Sequence, residues 1–284
     1  MIEPPLVSPT TLPEAYRLLG EAAYRPLAGG TDVMVQLSGQ LGSPPERLLD
    51  LWRLDELRGI ALEGDGLTFG ALTTYTEIRR SSVCHDLLPA YVEAASTIGA
   101  AQIQNRGTLG GNIANASPAG DMLPVLLATD AVIVAGSSRG ERSIAAASFW
   151  TGYRQTALAA DEIVVRIRVP LVADRQVRFR KIGTRRAQAI SKVVLALSWV
   201  AGSADDPWRS VRLGLGSVAE RPIRAMATEA VLEGRLPDSD TANTASVRVA
   251  AEIEPINDVR STADYRRAVT ARVLHRLIRE AGGW

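Results

Sequence analysis

The chain has 284 residues, 46% hydrophobic and 22% charged, with 32 Lys+Arg against 31 Asp+Glu, one cysteine and two histidines. One cysteine forms no intrachain disulfide and holds no iron–sulfur cluster, which takes about four thiolates, and three Cys and His residues fall short of a four-ligand zinc site. A net charge of +1 gives no electrostatic footprint for nucleic acid.

The chain opens with MIEPPLVSPT, which lacks the basic and apolar regions of a signal peptide. A helix is expected over 12–23, with Thr11 as N-cap, Pro13 in the first turn and Glu14 supporting the start. A short strand over 25–28 ends in Gly29-Gly30-Thr31-Asp32; a second helix starts at Asp32 and carries Val33, Met34 and Leu37, before a strand over 47–51. Strand 67–71 opens a second region, with helices near 74–80 and 87–98. Residues 99–120 are poor in charge and rich in small residues. An apolar helix over 121–129 and strands over 131–135, 142–145 and 162–169 follow. In a third region, long strands are expected over 176–183, 193–201 and 211–216. A hairpin turn is expected at 202–207, and helices over 223–233, 241–251 and 264–281. The run 193–201 is the longest apolar stretch and falls short of the ~18 residues of a membrane span; no span and a cytoplasmic location are expected. The length suits more than one domain, at roughly 100–200 residues each.

Two segments carry chemistry. In Leu27-Ala28-Gly29-Gly30-Thr31-Asp32, paired glycines between a strand and a helix allow a sharp turn and close approach to a ligand, and nearby N–H groups suit an anion. A tight turn with no ligand is an equal reading of these residues alone. Neither a G-x-G-x-x-G fingerprint nor a Walker-type phosphate loop is present, which disfavours the familiar dinucleotide and P-loop folds. The second segment is NRGTLGGNIANASPAGD at 105–121. Its backbone needs many hydrogen-bond partners, and a diphosphate with two riboses supplies them. Gly110 and Gly111 suit close backbone approach, Thr108, Asn112 and Asn115 suit donation to phosphate, and Asp121 suits acceptance from ribose hydroxyls. A third feature is compositional. Thirty of the basic residues are Arg, and the two lysines, Lys181 and Lys192, stand within twelve positions. A GC-rich genome accounts for the bias, yet Lys has a compact head and tunable pKa that Arg cannot imitate.

With AGGTD at 28–32 and NRGTLGGNIANASPAGDMLPVLLATDA at 105–131, the sequence resembles the FAD-binding (medium, flavoprotein) subunit of the molybdenum hydroxylases, the xanthine dehydrogenase and carbon monoxide dehydrogenase family. The likeness continues through FGALTTYTEI at 69–78, RKIGTRRAQAISKVVLAL at 180–197 and DVRSTADYRR at 258–267. It implies an α+β fold: two α/β subdomains, 1–58 and 59–172, enclosing an extended FAD, and a C-terminal α+β domain, 173–284, with an antiparallel sheet and helices. Leu27, Ala28, Gly29, Gly30, Thr31, Asp32 and Val33, with Thr108, Gly110, Gly111, Asn112 and Asn115, are the residues implied around the diphosphate. The resemblance further implies Asp121 on a ribose or ribityl hydroxyl, Ile98 and Gly99 near adenine, and Lys181, Gly183 and Ile190 toward the flavin ring. Arg185 stands where some relatives have an aromatic residue over the flavin face. Lys181, Arg185 or Arg224 is the implied cation near the flavin.

The implied function is electron transfer: from an iron–sulfur subunit (2Fe–2S) served by a molybdopterin subunit, through FAD in this chain, to an acceptor such as NAD. Two alternatives stand beside it: a self-sufficient flavin reductase or oxidase, and a non-enzymatic nucleotide-binding assembly module. Cys84 and His85 read as packing residues, His275 as solvated, and the five dispersed tryptophans form no stacking series for bases. The basic cluster 178–186 suits either docking or flavin tuning.

Overall fold

The computed structural model describes residues 4–38, 45–185, 188–203 and 206–284. Among the described residues three main sheets follow one another along the chain, with a small two-stranded pair, Trp150–Gly152 and Gln155–Thr156, between strands of the second. The first is small and parallel: Leu48–Asp50 lies between Leu6–Val7 and Arg25–Leu27. The helix Leu12–Glu21 starts where Thr11 Oγ1 accepts from Glu14 N, with Pro13 in its first turn. Its buried Ala15 and Leu19 pack with Leu49, Leu51, Leu54 and Leu57, and against Ile163 and Val165 of the next sheet.

The second sheet has five strands, Ile60–Glu63, Gly66–Gly70, Ile163–Pro170, Val132–Ser137 and Gly140–Ala145 in that spatial order, all antiparallel. Helices between its strands supply the site. Tyr75–Arg80 begins in a capping box, with Thr74 and Glu77 satisfying each other's backbone N–H. The third sheet is antiparallel, Arg175–Ile182, Val193–Val200, Arg209–Gly216 and the short Ile223–Arg224. Val193–Val200 is buried along seven of its eight residues, apolar except for Ser198, as befits a strand covered on both faces. The helices Met226–Leu232, Ser239–Glu252 and Ala263–Gly282 complete this part, with Val249, Leu274, Leu277 and Ile278 in its core.

Two expectations change. The helix expected over 223–233 begins at Met226, because Ile223 pairs with Leu215 and Arg224 with Gly214 at the sheet edge. The small-residue stretch 99–120 contains two short helices, Ala101–Arg106 and Leu109–Asn115. Burial of Leu109, Gly110 and Ile113, and a Trp150 Nε1 bond of 3.1 Å to Ile113 O, hold the second of these where propensity alone does not. The expected turn at 202–207 falls partly on 204 and 205, outside the described residues. Among the described residues no helix is long and apolar enough to cross a membrane.

A charge cluster joins the second and third sheets. Asp130, in the left-handed region at φ 52°, accepts from Arg212 Nε at 2.9 Å and pairs with Arg224 at 3.3 Å and Arg175 at 3.4 Å. Asp130→Asn keeps a residue tolerant of this backbone and leaves three guanidinium groups facing a neutral amide. A loss of about 2 kcal/mol is expected, read as a lower urea midpoint with an unchanged slope.

Candidate nucleotide-binding site

The strand Arg25–Leu27 delivers the chain into Gly29-Gly30, each glycine for its own reason. A Cβ on Gly29 would lie 1.7 Å from Arg106 O, while Gly30 has space but a φ of +79°. The helix Val33–Leu37 follows, with Met34 N donating to Gly30 O (2.9 Å) and Val35 N to Asp32 O (3.1 Å). The N–H groups of Gly29, Gly30, Thr31, Asp32 and Val33 donate to no protein acceptor among the described residues. Consecutive free N–H groups in a turn form a concavity suited to an anion.

The second turn is built differently. Thr108 caps the helix Leu109–Asn115, its Oγ1 accepting from Gly111 N at 3.1 Å. Leu109 N donates to Thr73 O (2.9 Å), Gly110 N to Ala71 O (2.9 Å) and Asn112 N to Thr108 O (3.0 Å). These N–H groups are already engaged. Gly110 serves the fold, since a Cβ there would sit 2.7 Å from Ala71. What this turn presents is side chains. Asn112 Oδ1 is buried with no partner among the described residues. Asn115 Nδ2 donates to Asp32 Oδ1 at 2.9 Å, and Asn115 Oδ1 accepts from Arg154 Nη1 at 3.0 Å. Burial pushes the Asp32 carboxyl above its usual range, opposed by Arg154, then Arg25 and Asn115.

The two turns face each other across one solvent-open cleft of about 850 Å³, lined by Ala28, Gly29, Gly30, Thr31, Asp32 and Val33 on one side and Thr108, Gly110, Gly111, Asn112 and Asn115 on the other. Leu27, Ile98, Gly99, Asp121, Lys181 and Ile190 lie outside its lining. Several of these form a second group. Lys181 Nζ bonds Asp121 Oδ2 at 2.5 Å and Thr97 O at 2.9 Å, with both side chains under a tenth exposed. Among the described residues Asp121 Oδ1 has no hydrogen-bond partner, and burial raises this carboxyl against the pull of Lys181, Ser191 and Thr97. Next to Thr97, Ile98 O accepts from Gln104 Nε2 at 2.9 Å, and Gly99 turns at φ +53°. Ile190 is more than half exposed, beside Ser191, whose Oγ donates to Ala119 O at 3.3 Å.

Tyr75 links the two groups. It lines the cleft, is buried, and its phenol is pushed up by burial and by the negative charges of Asp32 and Asp121. It lies inside the FGALTTYTEI segment, but nothing in the spacing marks it out from its neighbours. Arg25, which lines the cleft, and Arg154 are likewise invisible in the motifs.

Arg224, one of the three cations implied near the flavin, pairs with Glu229 and Asp130. Arg185 donates to Gln188 O at 2.7 Å. Within the basic cluster 178–186, Arg180 bonds Glu280 at 2.9 Å, and Arg186 lies outside the described residues. Cys84 is fully buried, His85 Nε2 bonds Arg79 O at 2.9 Å and His275 Nε2 bonds Asn243 Oδ1 at 3.2 Å. No His, Cys, Asp and Glu cluster fit for a metal occurs among the described residues.

Residues 2–172 match the family described as the FAD binding domain in molybdopterin dehydrogenase, and 178–281 the CO dehydrogenase flavoprotein C-terminal domain. The chain is 34% identical over 261 residues to the glyceraldehyde dehydrogenase medium chain of Sulfolobus acidocaldarius, covering 91% of each. It is 31% identical to the carbon monoxide dehydrogenase medium chain of Hydrogenophaga pseudoflava, covering 96% of this chain and 95% of that one. In structure it is similar to a chain of reconstituted CO dehydrogenase from Oligotropha carboxidovorans, with a TM-score of 0.93, 28% identity, and coverage of 100% and 99%.

Proposed function

Because the chain belongs to the FAD-binding medium-subunit family of the molybdopterin dehydrogenases, we propose that it takes electrons from an iron–sulfur partner subunit, itself served by a molybdopterin subunit, and passes them to an external acceptor such as NAD. The chain is an oxidoreductase subunit. With a single cysteine it has no thiolate set for a cluster of its own, so its redox partner has to be another chain. Its relatives are named for carbon monoxide and glyceraldehyde at similar identity; this favours a substrate chosen on a different subunit.

The observation that carries the reading is the run of five free N–H groups at 29–33, facing Thr108 and Asn112 across the cleft. Such a run suits a diphosphate. The unpartnered oxygens Asn112 Oδ1 and Asp121 Oδ1 suit the hydroxyls of its sugar and ribityl arms, because a buried acceptor without a donor is costly. The residues present therefore fit FAD. When bound, FAD supplies the electron-accepting chemistry; the protein binds, orients and tunes it. In this reading 29–33 hold the diphosphate, and Asp121, fixed by Lys181, holds a hydroxyl. Ile98, Gly99 and Ile190 lie along the remaining length, and the units 1–58 and 59–172 meet at the cleft with 173–284 behind Lys181.

Titration of the flavin-free chain with FAD, followed by flavin fluorescence, is expected to saturate at one FAD per chain, with riboflavin weaker because it lacks the diphosphate. A chain that takes up no FAD, alone or with its co-purifying partners, contradicts the reading. Co-purification with two further chains carrying iron and molybdenum is expected from the native host.

A further inference from the structure

We propose that Arg154 is a cofactor-anchoring residue, a cation held at the edge of the 29–33 turn that offsets the charge of the bound diphosphate. The inference rests on the nucleotide reading of the cleft. Arg154 occupies the turn between the strands Trp150–Gly152 and Gln155–Thr156, at φ 52°. Few non-glycine residues adopt that backbone, and arginine gains nothing from it intrinsically. Its guanidinium is tied to the cleft through one path: Nη1 to Asn115 Oδ1 at 3.0 Å, and Asn115 Nδ2 to Asp32 Oδ1 at 2.9 Å. Asn115 and Asp32 both line the cleft. Nε and Nη2 of Arg154 carry no hydrogen bond among the described residues.

Charge bookkeeping gives this cation a task. The charged residues lining the cleft are Arg25, Asp32 and Glu162. Glu162 is already matched by Arg142, at 2.7 Å. Asp32 is the carboxylate with which an incoming diphosphate has to coexist, beside the same run of N–H groups. Arg154 and Arg25 are the cations that act on it. Two unused guanidinium nitrogens on a planar fork match phosphate oxygens better than an ammonium does. Neither Gly-rich motif contains Arg154; the chain reversal after Trp150 brings it to Asn115.

The test uses the full chain, stripped of flavin, with FAD, ADP and riboflavin as probes at low and high salt. Arg154→Asn removes the cation with a residue that tolerates left-handed backbone, and Arg154→Lys keeps the charge without the fork. Arg154→Asn is expected to weaken FAD and ADP by about 10- to 100-fold, to leave riboflavin unchanged, and to flatten the salt dependence; Arg154→Lys recovers part of the loss. Equal FAD and ADP binding by Arg154→Asn and wild type overturns the proposal alone. So does a riboflavin loss as large as the FAD loss, which marks a structural role. Wild-type chain that binds neither FAD nor ADP overturns the reading of the cleft, and the proposal with it.

Discussion

Gly29→Ala is expected to give a chain that retains no FAD and unfolds well below the wild type. The added Cβ would fall 1.7 Å from Arg106 O and 2.4 Å from Arg106 C. Those are backbone atoms at the end of the helix Ala101–Arg106, and the neighbour has no flexible tip to swing away. Overpacking of a close-packed site typically costs about 1–3 kcal/mol and sometimes more, and a backbone collision belongs at the top of that range. Relief has to come from moving the 29–33 turn away from the end of that helix, which spoils the run of N–H groups. Gly30→Ala makes the control. It has room, its nearest neighbour being Leu27 Cδ1 at 3.6 Å, but a φ of +79°. Its expected cost is the left-handed penalty of about 1–2 kcal/mol. Flavin content after purification and thermal midpoints of the two variants check the order. A Gly29→Ala chain with full flavin and a wild-type midpoint contradicts the geometry.

Lys181→Met is the second large effect. It leaves Asp121 buried with no cation, and breaking a buried pair from one side costs about 3–5 kcal/mol. At roughly 2–4 °C per kcal/mol for a chain near this size, the midpoint falls by about 10 °C. Replacing both partners, Lys181→Met with Asp121→Leu, is expected to recover much of the stability but none of the hydroxyl-holding capacity, so stability and FAD binding separate. The pH dependence has a definite sign. The Asp121 carboxyl is already raised by burial, and loss of Lys181 raises it further. A carboxyl raised in the folded state holds a proton there that the unfolded chain has released. Stability of Lys181→Met therefore falls as pH rises from the ordinary carboxylate range to the folded value. The variant is expected closest to wild type in mild acid and furthest at neutral pH. Urea midpoints across pH 4–8 (about the window where a raised carboxyl titrates) measure it, and a flat difference contradicts it.

Most of the elements are legible in local chemistry. Thr11, Pro13 and Glu14 mark the first helix, and the apolar stretch after Lys192 marks a long strand. Ile223 misled because it fits a helical stripe with the residues after it, while its partner, Leu215, lies on a strand whose position the local pattern does not encode. Gly110 and Gly111 both line the cleft, and the need for small residues there is legible in the sequence; the neighbours that impose it, Ala71 beside Gly110 and Thr108 Oγ1 beside Gly111, are not. Lys181 stood out as one of two lysines, and its ion pair with Asp121, sixty residues away, was not legible. The cleft lining is legible in the two contiguous motifs, at 28–33 and at Thr108, Gly110, Gly111, Asn112 and Asn115, whereas Tyr75 in the lining and Arg154 beside Asn115 are brought there by chain reversals that no local pattern encodes.

The buried cluster of the second sheet does not stop where the first matched family ends. Phe179, Val194 and Ala196 of the third sheet pack in the same cluster as Leu123, Leu126 and Leu127. Gly214 is small enough to lie under Pro124, where a Cβ would meet the Pro124 carbonyl oxygen at 2.2 Å, and Ser198 Oγ donates to Ala128 O. The two matched families meet between 172 and 178, yet the residues on either side of that seam share one interior. A gene cut at that seam yields a fragment with a greasy flank and an orphan carboxylate at Asp121, prone to clump before it can load a cofactor.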